Sequence, residues 1–448
     1  MPPGIPFIVG NEAAERFSFY GMKAILTVFM TKHLVDSAGL PDTMGDEYAK
    51  GVFHLFTALT YLAPAVGAIF SDVLWGKYRT IIYLSVGYVL GHAAIAVGDT
   101  TAGRLLLEPR QWLYLGLVLI AVGAGGIKPC VSAHVGDQFG ERNQHLISRA
   151  FSWFYFSINV GATASFLATP LLLKSYGPGV AFGVPGVLMA IALVMFWAGR
   201  HRFVHIQPAG WRRFWNETIG RDGLRALGNL TLVYLMIAAF WALFDQTGSS
   251  WVLQAEKMNR TILGHEILPS QVGAMNPILV LLLIPVFTYG VYPLAGRWVV
   301  VTPLRKIGAG FFITTLSFAL AAWIQTRIDA GASPHIAWQL LAYVVLTAAE
   351  VMVSITALEL SYTQAPRRMK SVVMAAFFMS VFLGNVFTAL VNFAIANPDG
   401  TSRLAGATYF WFFAGVMLLT GALFVPVALV YRGGTFIQGT DPGPPEAG

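Results

Sequence analysis

Residues 11–29 read NEAAERFSFYGMKAILTVF, and the fold turns on how this stretch is placed. Its length and apolar weight suit a membrane-crossing helix, yet it carries Glu12, Glu15, Arg16 and Lys23. At 100° per residue, Glu12, Glu15, Arg16, Phe19, Tyr20 and Lys23 fall within an arc of about 140°, while Phe17 and Ile25 point elsewhere. An ionisable side chain costs roughly 2.5–3.5 kcal/mol at mid-bilayer even on the lenient insertion scale. Four of them in one helix will not face lipid. They line a protein interior or a water-filled path, and that path is the expected working site.

The rest of the chain supports a membrane setting. Of its 448 residues, 56% are hydrophobic and 11% charged, against about 25% charged in soluble domains. The net charge of +7 does not indicate nucleic acid, because the charges follow a membrane pattern. The single cysteine, Cys130, excludes an internal disulfide and a cysteine-based metal site. No cleavable signal is expected ahead of the charged first helix. Twelve apolar stretches are centred roughly on residues 22, 62, 88, 122, 160, 190, 240, 283, 315, 348, 382 and 419, with Pro64, Pro129, Pro277 and Pro285 inside helices. Of the 29 Lys and Arg, 17 fall in the even-numbered loops and C-terminal tail, 9 in the odd-numbered loops, and Arg16, Lys23 and Lys128 within spans. The positive-inside rule then expects both termini in the cytoplasm.

The basic cluster Arg200 to Arg225 divides the chain into similar halves. Pro64 precedes Gly76-Lys77-Tyr78-Arg79 much as Pro285 precedes Gly296-Arg297. The expected fold is all-α and polytopic, with two six-helix bundles of the major-facilitator kind and a binding site between them near the midplane. The expected divisions are 1–200 for the first bundle, 201–226 for a basic linker, 227–432 for the second bundle and 433–448 for a tail.

Several longer motifs resemble the proton-coupled oligopeptide transporters of the major facilitator superfamily. NEAAERFSFYG is similar to that family's ExxERFxYYG, and YLAPAVGAIFSDVLWGKYRT to its second span and following loop. GAGGIKPCVSAHVGDQFG, FSWFYFSINVGA, FWALFDQTGSSWVLQ and EVMVSITALELSYTQAP resemble spans 4, 5, 7 and 10, the last two especially those of animal-type members. Phe19 stands in place of the first Tyr of the Tyr-Tyr pair, Lys23 in place of the commoner Arg, Ala68 in place of a Gly and Phe377 in place of a Trp.

Residue types and resemblance together give the expected site. Glu12 and Arg16 are four apart and can pair within the helix, and a protonatable carboxylate beside a fixed cation can act as a switch. The resemblance makes Glu12, Glu15, His54 and Asp245 proton-coupling residues. His54 shares a helix face with Tyr61, and imidazole titrates near physiological pH; His92 and His134 are expected to be structural. A buried Lys needs an anionic partner, which points Lys128 toward Glu350 and Lys23 toward Asp245 as gates between the halves. Substrate contacts are expected from Arg16, Tyr20, Lys23, Tyr61, Lys128, Asn159, Trp241, Asn276, Glu350 and Phe377. Asp72, with Lys77 and Arg79, resembles the superfamily loop motif and is expected to gate conformation.

The implied function is proton-driven symport of di- and tripeptides across the cell (inner) membrane, without a cofactor or nucleic acid and as a monomer. A zwitterion calls for cations at one end and an acid at the other. An anion or nitrate symporter of the same fold, or a non-transporting peptide receptor, is the alternative. An enzyme is disfavoured by the lack of a HExxH, a Ser/His/Asp grouping or a GxxxxGK loop. A channel is disfavoured by the lack of rings of like charge.

Overall fold

The computed structural model describes residues 1–140, 143–208, 210–211, 221–363 and 370–431. Twelve long helices run in sequence: α1 (Ile5–Val28), α2 (Asp46–Ile69), α3 (Gly76–Gly98), α4 (Pro109–Asp137), α5 (Ile147–Tyr176), α6 (Pro178–Ala198), α7 (Arg221–Phe244), α8 (Met275–Val286), α9 (Pro303–Asp329), α10 (Ala337–Glu350), α11 (Lys370–Ile395) and α12 (Ala407–Val430). Among the described residues, ten helical runs are apolar and long enough to cross a membrane, and one of them, Asp46–Gly98, joins α2 to α3. The span missing from those ten is α1. Four ionisable groups on one face remove it from any reading based on hydropathy alone.

Apolar side chains form two separate cores. The first gathers residues from Ile5 to Phe203, including Phe53, Tyr88, Phe182 and Phe196. The second gathers residues from Leu230 to Phe424, including Phe240, Trp251, Phe318 and Phe413. Within the first half α1 packs on α5 and α6, while α4 packs on α2 and α3. In the second half α7 packs on α11, and α9 on α10 and α12. The halves meet along α2 with α11, and along α5 with α8 and the turn before it.

Glycines on α4 decide how closely the first half packs. A Cβ at Gly123 would stand 2.7 Å from Tyr88 Cβ of α3, and one at Gly125 would stand 2.7 Å from Ala63 Cβ of α2. Small residues permit such close approach where lipid supplies no hydrophobic drive.

Local breaks shape the interior. α2 continues beyond Pro64 into a widened π turn over Phe70–Trp75, and α8 continues beyond Pro285 into another over Phe287–Val291. The two halves thus bend at matching places, which gives the faint internal repeat a structural counterpart. α10 ends at Glu350 and also widens, over Val351–Ile355. α7 breaks at a tight 3-10 turn, Asp245–Gly248, before the short helix Ser250–Glu256. Pro277 lies in the first turn of α8 and not in a helix interior, so it frees no deep carbonyl. Lys50 belongs to α2 and is buried, although its position near the start of an apolar stretch places it with the loop when charges are counted.

Candidate functional site

Two cavities lie between the halves and share Tyr20 and Ile158 as lining residues. The central one holds about 250 Å³ and is lined by Tyr20, Lys23, Tyr61, Asn159, Trp241, Asp245, Asn276 and Glu350, with Phe19, Tyr155 and Phe166. The larger holds about 580 Å³ on the side of the chain termini, where Glu12, Arg16, Lys77 and Lys128 face Leu358, Met374 and Phe378. Nine of the twelve long helices contribute these side chains. That is possible only because α1, α2, α4 and α5 and their counterparts turn polar faces inward.

On α1, Arg16 Nε donates to Glu12 Oε1 at 2.8 Å, and Glu15 Oε2 stands 2.7 Å from the same nitrogen. The second approach is off-line, and neither Glu15 oxygen has a hydrogen-bond partner. All three side chains are buried. Two carboxylates beside one guanidinium leave one acid in surplus at this buried site.

A second polar cluster joins the halves toward the side opposite the termini. Lys23 Nζ donates to Asp245 Oδ1 at 2.8 Å and lies over the Phe53 ring at 5.2 Å. Asn385 Nδ2 donates to Asp245 Oδ2 at 2.8 Å, and Asn385 Oδ1 stands 2.8 Å from His54 Nδ1. His54 Nε2 lies 2.9 Å from Ser249 Oγ. Since the Asn385 amide nitrogen is committed to donating, its oxygen accepts, and the proton of neutral His54 sits on Nδ1. His54, Asn385, Asp245 and Lys23 therefore form one continuous chain that crosses the interface twice. The break in α7 presents Asp245 and Ser249 together, and the half-buried Gly248 carbonyl accepts from Thr27 Oγ1 at 2.8 Å.

The opposite wall carries a lone acid. Glu350 Oε2 accepts from Asn276 Nδ2 at 2.6 Å, and Asn276 also reaches Thr347 Oγ1 at 3.3 Å. Asn159 Nδ2 bonds the Tyr155 carbonyl at 2.9 Å. Trp241 Nε1 is buried without a partner.

Two expectations need correction. Lys128 does not pair with Glu350: its ammonium lies over the Tyr61 ring at 4.7 Å, on the side where the halves stand apart. Phe377 does not line the cavity; it is buried in the second core beside Tyr234, and the next residue, Phe378, takes the cavity wall. A one-residue step along a helix turns a side chain by 100°, which is enough to exchange wall for core. Lys77 binds Asp137 of α4 at 2.7 Å; the side chain of Asp72 lies outside the described residues. Sequence reading also passed over Asn385. The criterion that flagged Asn159 and Asn276, an amide inside an apolar span, applies to it equally.

The sequence profile described as the POT family matches residues 78–213 and 211–412. The chain belongs to the POT family. It is 36% identical over 377 residues to Peptide transporter 3 of Caenorhabditis elegans, covering 73% of this chain and 51% of that protein. It is 37% identical over 399 residues to Solute carrier family 15 member 2 of Rattus norvegicus, covering 80% and 53%. The chain thus spans about half the length of the curated relatives it matches. Among solved structures, an auto-inhibited POT family peptide transporter superposes with a TM-score of 0.86 at 33% identity, covering 98% of this chain and 99% of that one. The POT family transporter PepTSo superposes with a TM-score of 0.86 at 35% identity, covering 96% and 98%. The fold is the twelve-helix major-facilitator fold of this POT family. Among the described residues, no group of three or more His, Cys, Asp or Glu is placed to hold a metal ion.

Proposed function

We propose that the chain is a proton-driven symporter of di- and tripeptides that works by alternating access. The observation that carries this reading is the charge layout of the interface cavities. Arg16, Lys23 and Lys128 stand at one wall, and at the other Glu350 is held, among the described residues, by the neutral Asn276. A peptide zwitterion complements that layout, with its carboxylate toward the cations and its ammonium at Glu350. Tyr20, Tyr61, Trp241 and the phenylalanines between supply apolar surface without further charge, which suits varied side chains. An anion transporter has no use for Glu350, and a passive receptor none for the surplus carboxylate beside Arg16.

Proton coupling is assigned to Glu12, Glu15, His54 and Asp245, and gating to Lys23, Asp245, Lys128 and Glu350, with Asp72 carried from the loop motif. In this reading both termini lie in the cytoplasm, the membrane is the inner cell membrane, a monomer suffices and no cofactor is needed. The divisions 1–200, 201–226, 227–432 and 433–448 are those of two bundles, a linker and a tail.

The test is uptake of labelled dialanine into proteoliposomes with and without an inward proton gradient. The wild type should concentrate peptide only with the gradient. Asp245→Asn and Glu15→Gln should lose gradient-driven uptake by at least tenfold while retaining peptide counterflow. Uptake indifferent to the gradient in the wild type would overturn symport.

A further inference from the structure

On the side opposite the termini, a buried lysine outside the site described above bridges the two halves. Lys50, in the first turns of α2, is 5% exposed. Its Nζ stands 2.5 Å from Glu47 Oε2 and lies 3.9 Å from the centroid of the Tyr409 ring, at the start of α12 in the other half. The Tyr409 hydroxyl accepts from Asn392 Nδ2 of α11 at 3.2 Å, which fixes the ring. One residue along α2, a Cβ at Gly51 would stand 2.5 Å from Phe393 Cε1, and Tyr48 packs on the same ring with centroids 5.4 Å apart. The helices are therefore drawn together around this cation. A small polar cavity of about 80 Å³ beside it is lined by Asp46, Ser250, Gln254 and Lys257 among others.

A buried lysine is retained only where anion and aromatic face together replace water. The anion here lies on the lysine's own helix, so the Glu47–Lys50 pair survives separation of the halves, whereas the contact with Tyr409 does not. We propose that Lys50, neutralised by Glu47 and seated on Tyr409, is an outer latch between α2 and α12 that holds the halves closed independently of Lys23 and Asp245. This rests on the alternating-access reading, in which α2 and the second half separate at this end. The division of labour follows from the geometry: Lys23 and Asp245 face the central cavity and can respond to peptide, while Lys50 lies outside it.

The full chain in lipid nanodiscs, with Cys130→Ala and Thr27→Cys as the single reporter thiol, is reacted with a charged maleimide in the absence of peptide and of any gradient. Thr27 of α1 is buried against the Gly248 carbonyl of the other half and does not touch Lys50 or Tyr409, so its labelling rate reports opening. Tyr409→Leu, which removes the aromatic face, should raise the rate about fivefold, or about 1 kcal/mol at 1.4 kcal/mol per decade. The double replacement of Glu47→Gln with Lys50→Met should do the same without stranding a charge. Tyr409→Phe, which keeps the ring, should stay near the wild type, a contrast that general loosening would not give. Asp245→Asn serves as the reference for an opened gate. Wild-type rates in both Tyr409→Leu and the double variant, with the reference raised, would overturn the latch. Failure of peptide uptake would instead sink the symport reading and leave these rates unaffected.

Discussion

In the proposed reading, Glu350 is the residue on which peptide recognition depends most directly. Among the described residues no cation pairs with it, and its one strong hydrogen bond comes from the neutral Asn276. Replacing it with Gln keeps the shape and the capacity to accept from Asn276 but removes the charge. A hydrogen bond to a charged group contributes about 1.5–3 kcal/mol, so Glu350→Gln should weaken dialanine binding by roughly tenfold or more. N-acetyl-dialanine, which lacks the ammonium, should bind the variant and the wild type alike. Calorimetric titration of both ligands checks this, and equal weakening for the two would place the amine elsewhere. At this scale the sequence was informative where a charge stood alone in an apolar span. Lys23 and Asp245 could be paired because each needed a partner and few were on offer. Lys128 misled for the same reason: the rule asks only for compensation, and the Tyr61 face stands over its ammonium where an acid was expected.

Helix elements show how packing and breakage divide the work. α4 fits between α2 and α3 because Gly123, Gly125 and Gly126 present no side chains to them. Gly125→Leu would collide with the Thr60 carbonyl and Ala63, and overpacking of this kind costs about 1–3 kcal/mol. The variant should melt several degrees lower in detergent, measured by loss of monodisperse protein on heating. It should also lose uptake, since α4 carries Lys128 into the cavity. Wild-type melting would show that α4 can shift without loss. The glycine run was legible in the sequence, as were the bends after Pro64 and Pro285. The break of α7 at Asp245 was not. It contains no proline, and a tight turn there is held by contacts such as Thr27 with the Gly248 carbonyl, made by residues far away in sequence.

As a whole molecule, the protein is closed on one side and open on the other. Among the described residues, the ion pairs that cross between the halves are Lys23 with Asp245 and Lys32 with Glu256, at 2.8 and 2.7 Å, and both lie toward the face opposite the termini. The larger cavity lies toward the terminal face. A peptide that binds between the halves links them, so it should stabilise the folded chain by mass action, about 2.7 kcal/mol at a hundredfold excess over Kd. Dialanine should therefore raise the melting temperature in a concentration-dependent way, whereas nitrate should not. Stabilisation by nitrate and none by dialanine would favour the anion reading.

The sequence by itself determined the membrane setting, the twelve spans and the interior placement of the α1 charges. Each of these follows from the cost of putting polar groups in hydrocarbon, which acts on every residue locally. Tertiary structure alone decided which partner each charge meets: Asn385 between His54 and Asp245, Tyr61 under Lys128, Asp137 for Lys77 and Tyr409 for Lys50. Those pairings depend on helix rotation and on which side of the interface is closed. Both are set by contacts between segments separated by tens to hundreds of residues, and no periodicity along one helix encodes them.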